Sequence, residues 1–131
     1  MIGLLEAARA LQERVDHALE SVGLSGAKYM ALEELTRAGG AMSLSALADC
    51  RKCVRSNITQ LIDRLEADGL VKRSDDPEDR RAVRAQITKV GSAKFDAGTE
   101  AIRNVQAELA AQVPRDEQAI FLRALSAFKK L

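Results

Sequence analysis

The chain has no tryptophan, one tyrosine and three phenylalanines among 131 residues, and only two prolines, two cysteines and a single histidine. Each shortage removes a class of protein. With so few aromatics, burial must come from Leu, Ile, Val and Ala, which suits helix packing better than a β-sandwich. Cys50 and Cys53 make no disulfide framework, in agreement with a reducing compartment. Together with His17 they are the soft metal ligands present, short of the four that a structural zinc site needs, so neither metal nor cofactor is expected. His17 falls off the apolar stripe of its segment, where a solvated role is expected. The chain holds no G-x-S-x-G, glycine-rich phosphate loop or H-E-x-x-H, so enzymatic activity is not expected. No apolar run reaches the roughly 18 residues of a membrane span. The opening twenty residues carry Glu6, Arg9, Glu13, Arg14 and Asp16 within a helical pattern, which speaks against a signal peptide. A cytoplasmic protein without membrane contact is the expectation, folded as a single domain over residues 1–131.

What is present is unevenly spread. Four basic residues face seven acidic ones in residues 1–50, ten face seven in 51–89, and six face five in 90–131. The middle third is the basic part although the whole chain is only +1. In residues 3–22, Leu4, Ala8, Leu11, Val15, Ala18 and Val22 recur at spacings of four and three, a heptad stripe on one long helix that Gly23 ends. Ser25 can cap a second helix with Ala27, Ala31, Leu35 and Ala38 on one face, stopped by Gly39 and Gly40. Ser43 caps a short helix, "LSALADCR". After a break at Lys52-Cys53, a helix from about Arg55 to Asp68 buries Ile58, Leu61, Ile62 and Leu65, and Gly69 terminates it. The period then changes from 3.6 to 2. "LVKRS" and "VRAQIT" read as strands around the turn "DDPEDRRA". Thr88 caps a long helix to about Val113, Pro114 breaks it, and "DEQAIFLRALSAFKKL" forms a last amphipathic helix.

A short helix, a tight turn, a helix with a polar outer face and a basic hairpin follow the logic of a winged helix-turn-helix, so the fold expected is mainly α with a short β-hairpin wing. Stepping 100° per residue from Ile58 turns Ser56, Gln60, Asp63 and Ala67 outward, flanked by Asn57, Thr59 and Arg64. Asn and Gln can bond adenine, and Arg55 or Arg64 can reach guanine or phosphate. Arg80 and Arg81 at the wing tip are suited to a minor groove, with Asp76 and Asp79 holding the tip in shape through the guanidiniums or loop amides. A solvated charge cluster is the plain alternative for the tip. The heptad stripes at both ends expose more apolar surface than one small core covers, which pairing with a second copy would bury. The competing possibility is that they pack on one another within one chain.

The run "SLSALADCRKCVRSNITQLIDRLEADGLVKRSDDPEDRRAVRAQITKVG" resembles the DNA-binding core of the MarR family of bacterial transcriptional regulators. The flanking helices match in order and length, so the resemblance covers essentially the full chain. It implies a homodimer in which residues 1–24 and 89–131 interlock and residues 25–88 form the winged core, bound to double-stranded DNA at a palindromic operator as a repressor. It also implies that Arg55, Ser56, Asn57, Thr59 and Gln60 occupy the major groove and that Arg80 and Arg81 serve the wing. A small aromatic or anionic effector is implied between the dimer helices and the DNA-binding lobe. Tyr29 and Met30 are candidates to line that cleft, with a core role the stronger expectation.

The turn departs from the family. Where members often have "LGVS", this chain has "RKCV", so Lys52 replaces a turn glycine and Val54 an N-cap serine, each at a cost of about 1 kcal/mol. Arg51 and Lys52 would sit close to phosphates there. Cys50 and Cys53 flank the turn, either as a thiol switch favoured by Arg51, Lys52 and Arg55 or as packing residues. A protein-interaction module that uses the winged helix without DNA is the alternative function. It would be favoured by an apolar or acidic outer face on residues 55–67, which this sequence does not have.

Overall fold

A computed structural model describes residues 2–51 and 55–128, with the side chains of residues 51, 55, 56 and 128 outside that description. The elements run α1 (Ile2–Ser21), α2 (Gly26–Arg37), β1 (Ala41–Ser43), α3 (Leu44–Arg51), α4 (Arg55–Ala67), β2 (Val71–Asp75), β3 (Val83–Ile87), α5 (Lys89–Ala110) and α6 (Arg115–Phe128). This is a mainly helical winged helix-turn-helix, as expected.

The caps read from the sequence are made. Ser25 accepts from the Lys28 amide, Ser43 Oγ from the Ala46 amide at 3.1 Å, and Thr88 Oγ1 from the Gly91 amide at 3.0 Å. Each satisfies a backbone donor that a helix start leaves without a partner. At its other end α4 closes on Gly69, whose φ of 73° a side chain would strain. The Gly69 amide donates to the Glu66 carbonyl at 2.9 Å and the Leu70 amide to the Leu65 carbonyl at 2.9 Å. This paired closure turns the chain sharply and drops Leu70, 2% exposed, into the core. The same pattern ends α1, where Leu24 is the residue that becomes buried.

The core sits where α2, α3 and α4 meet the sheet and the middle of α5. Leu32, Leu35, Leu47, Ile62 and Leu65 have no exposed surface, and Ile58 has almost none. The buried face expected for α4 is therefore realised at Ile58, Ile62 and Leu65, while Leu61 is only half-buried against that core. That of α2 is corrected: it runs through Ala31, Leu32 and Leu35, while Ala27 and Ala38 are exposed. Leu32 carries far more apolar area than either alanine, and the helix rotates to bury it. The sheet is also larger than a hairpin. Its order is β1-β3-β2, all antiparallel, with Met42 opposite Ala85 and Arg73 opposite Ala85 on the other side. The three residues of β1 are too few for a period to show in sequence, and Arg84 donates across to the Ala41 carbonyl at 3.3 Å to hold them.

Two glycines let helices approach closely. A Cβ on Gly91 would lie 2.0 Å from the Leu70 carbonyl oxygen, and one on Gly98 would lie 2.9 Å from the Tyr29 ring and 3.0 Å from Leu24. The periphery is left bare. Of α1 only Leu19 is buried, while Leu4, Leu5 and Leu11 are 42%, 67% and 41% exposed; on α6, Ile120, Phe121 and Leu122 are at least half exposed.

Gly91→Ala should lower stability by about 3 kcal/mol, because the obstacle is backbone and cannot rotate away. Gly3→Ala, with nothing within 4 Å of the new Cβ, should leave it unchanged or slightly higher. Urea unfolding of the two variants checks this, and equal midpoints would show that the α5 approach is not tight.

Candidate nucleic-acid interface

The outward face of α4 is polar because the inward face uses its apolar residues. With Ile58, Ile62 and Leu65 buried, Asn57, Thr59, Gln60, Asp63 and Arg64 all stand exposed. Among the described residues, the side chains of Asn57, Gln60 and Arg64 have no intramolecular partner, so their hydrogen-bonding groups point free into solvent. Lys52, Cys53 and Val54, which carry the departures in the turn, lie outside the described residues, as do the side chains of Arg51, Arg55 and Ser56. Cys50 is exposed with a free thiol.

The wing is ordered by its acids. The Asp76 amide donates to the Ala82 carbonyl at 3.1 Å, and the Ala82 amide to the Asp79 carbonyl at 3.0 Å. Asp76 Oδ1 accepts from the Glu78 amide and Asp79 Oδ1 from the Arg81 amide, both at 3.0 Å. Of the two roles expected for these carboxylates, the structure shows the loop amides. The cation near Asp76 is Arg84, at 4.0 Å, rather than Arg80 or Arg81. Aspartates bonding an amide two residues on fold the tip without using the arginine side chains. Arg80 and Arg81 therefore remain exposed and unpaired among the described residues.

Wing and helix meet. A cleft of about 190 Å³ between them is lined by Ser43, Leu44, Ser45, Thr59, Arg81, Ala82 and Val83. The junction is also spanned by Arg73 of β2, which pairs with Asp63 and Glu66 of α4. Hydrogen bonding to Asp63 raises the Arg73 pKa above the ordinary arginine value against the opposing effect of desolvation, and Glu66 adds to the rise. Sequence reasoning missed this residue. The signal was strand parity: Arg73 shares a face with Val71, which is buried, so it points inward where only a partnered cation is tolerated.

Tyr29 and Met30 part company. Tyr29 stacks on Phe95 with ring centroids 5.3 Å apart, and its hydroxyl is 3.1 Å from Thr99 Oγ1, so it joins α2 to α5. Met30, for which a core role was the stronger expectation, is 50% exposed. Neighbouring helical positions point about 100° apart, and the core takes only one of them. His17 is exposed, as expected.

A buried scaffold, a helix with bare polar side chains and an arginine-tipped hairpin beside it define a winged helix-turn-helix DNA-binding protein. The MarR family model matches residues 22–82. PrsX, an HTH-type transcriptional regulator of Escherichia coli, is 31% identical over 118 residues, 89% of this chain and 71% of PrsX. YusO of Bacillus subtilis has the same fold, with a TM-score of 0.85 and 21% identity over 98% of this chain and 91% of YusO. A mutant of MarR from Escherichia coli in complex with operator DNA does too, at a TM-score of 0.77 and 20% identity over 95% of this chain and 89% of that one. The chain belongs to the MarR family of transcriptional regulators.

Asp79→Ala should free the Arg81 amide and speed its hydrogen exchange about fivefold, the equivalent of one hydrogen bond of about 1 kcal/mol. An unchanged exchange rate would mean that the tip holds its shape by other contacts.

Proposed function

We propose that the protein is a cytoplasmic, homodimeric repressor that binds a palindromic operator in double-stranded DNA and is not an enzyme. One observation carries this reading: the uncommitted side chains of Asn57, Gln60 and Arg64 on α4 lie beside the free arginines of a pre-ordered wing. Asn57, Thr59, Gln60 and Arg64, with Arg55 and Ser56 at the helix start, enter the major groove. Arg51 and Lys52 take phosphates, and Arg80 and Arg81 enter the neighbouring minor groove, where narrowness concentrates negative potential. Residues 25–88 form the DNA-binding core of a single 1–131 domain. The bare apolar faces of α1 and α6 are what residues 1–24 and 89–131 contribute to the dimer, which would set two recognition helices about 34 Å apart to match successive major grooves. Among the described residues no helix is long and apolar enough to cross a membrane.

Release follows from the same geometry. A small aromatic or anionic effector held between the dimer helices and the winged core, within reach of Met30, would favour a different half-site spacing and shift the population away from the DNA-bound form. Tyr29 acts there through the α2–α5 contact, since its ring is already stacked.

Binding to DNA from the gene's own upstream region, titrated with salt, tests the assignment. Wild-type protein should bind one site specifically with a steep salt dependence. Arg80→Ala/Arg81→Ala should weaken it and lower the log–log salt slope by about 2. If no specific site emerges there or in a genomic selection, the repressor reading fails. Leu4→Glu/Leu11→Glu should convert the dimer to monomer in sedimentation and abolish tight operator binding. A variant that stays dimeric would move the interface elsewhere.

A further inference from the structure

Arg73 is a cation of the wing that makes its contacts inward. It sits on β2 opposite Ala85, and its side chain is only 28% exposed. Nη1 donates to Glu66 Oε2 at 2.6 Å, Nη2 pairs with Asp63 and reaches the Thr59 carbonyl at 3.5 Å, and its amide donates to Glu66 Oε1 at 3.2 Å. Positions 59, 63 and 66 follow one another along a single stripe of α4. One planar guanidinium thus ties two turns of the recognition helix to the stem of the wing, a geometry that a lysine ammonium cannot reproduce.

The bridge has two physical effects. It fixes the angle between two elements that must meet adjacent grooves together. It also offsets two carboxylates, one of them on the outward face beside Gln60, that would otherwise repel phosphates.

We propose that Arg73 is a positioning residue for DNA recognition: its bridge to Asp63 and Glu66 sets the wing against α4 so that Arg80 and Arg81 reach the minor groove while the helix occupies the major groove. This rests on the DNA-binding reading above. Arg73 acts through Arg80 and Arg81 and need not touch DNA.

The test is a double-mutant cycle on operator binding with the full-length dimer. Arg73→Gln should weaken binding on the order of tenfold, and removing Arg80 and Arg81 in that background should cost no more than about twofold further, because a misplaced wing has little left to lose. Independent, multiplying losses would overturn the proposal. Asp63→Ala/Glu66→Ala separates positioning from charge and serves if Arg73→Gln fails to fold. It removes two negative charges from the DNA-facing helix, so electrostatics alone predicts tighter binding. Positioning predicts weaker binding, again with little further loss on removing the wing arginines. Tighter binding, or an undiminished wing contribution, would sink the idea. Arg73→Lys should fall between wild type and Arg73→Gln. A wild-type protein without a specific site would instead refute the DNA-binding reading, so the two failures are distinct.

Discussion

The junction at which α4 ends, β2 begins and α5 passes over both is the constraint on which the other parts depend. Thr88 donates its amide to the Leu70 carbonyl at 3.0 Å and its hydroxyl to the Gly69 carbonyl at 2.7 Å, and the same hydroxyl caps α5 by accepting from Gly91. The carbonyl that Thr88 bonds is the one that a side chain at Gly91 would strike. Recognition helix, wing and long C-terminal helix are therefore fixed to one another within four residues of backbone. Packing this close leaves the start of α5 little room to shift independently of the α4–β2 junction.

Charge is used in this chain more for shape than for net attraction. A total of +1 is a weak electrostatic basis for binding DNA. Four acids near the interface are nevertheless occupied: Asp76 and Asp79 with loop amides, Asp63 and Glu66 with Arg73. Occupied carboxylates hold backbone and strands in place, and among the described residues Arg64 of α4 and Arg80 and Arg81 of the wing tip are left free. Lys28 does similar work further in, pairing with Asp68 to join α2 to the end of α4. Exposed pairs such as Arg9 with Glu13 contribute little by comparison, because water screens them and both side chains give up freedom.

Two apolar environments were told apart only in part by pattern. The stripe of α1 is periodic throughout, yet its N-terminal half is bare and only Leu19 is buried. Periodicity reports that a face wants covering and is silent about what covers it. On α2 the same reading chose the wrong edge of the stripe, since Ala27 and Ala38 fit the spacing as well as Leu32 does. Spacing is blind to the area each side chain brings, and area decides burial.

Local chemistry, legible in the sequence, determined the helices, their caps at Ser25, Ser43 and Thr88, the glycine stops, the strands of the wing and the polar face of α4. Each depends on residues within a few positions of one another, where 3.6-fold or twofold spacing and capping geometry suffice. Tertiary structure alone decided the third strand β1, the stacking of Tyr29 on Phe95, the exposure of Met30 and the Arg73 bridge. These partners are 7 to 66 residues apart in the chain, and β1 is held by pairing with β3 across more than forty positions. Such contacts have no sequence period, because what brings them together is the burial of a core they share.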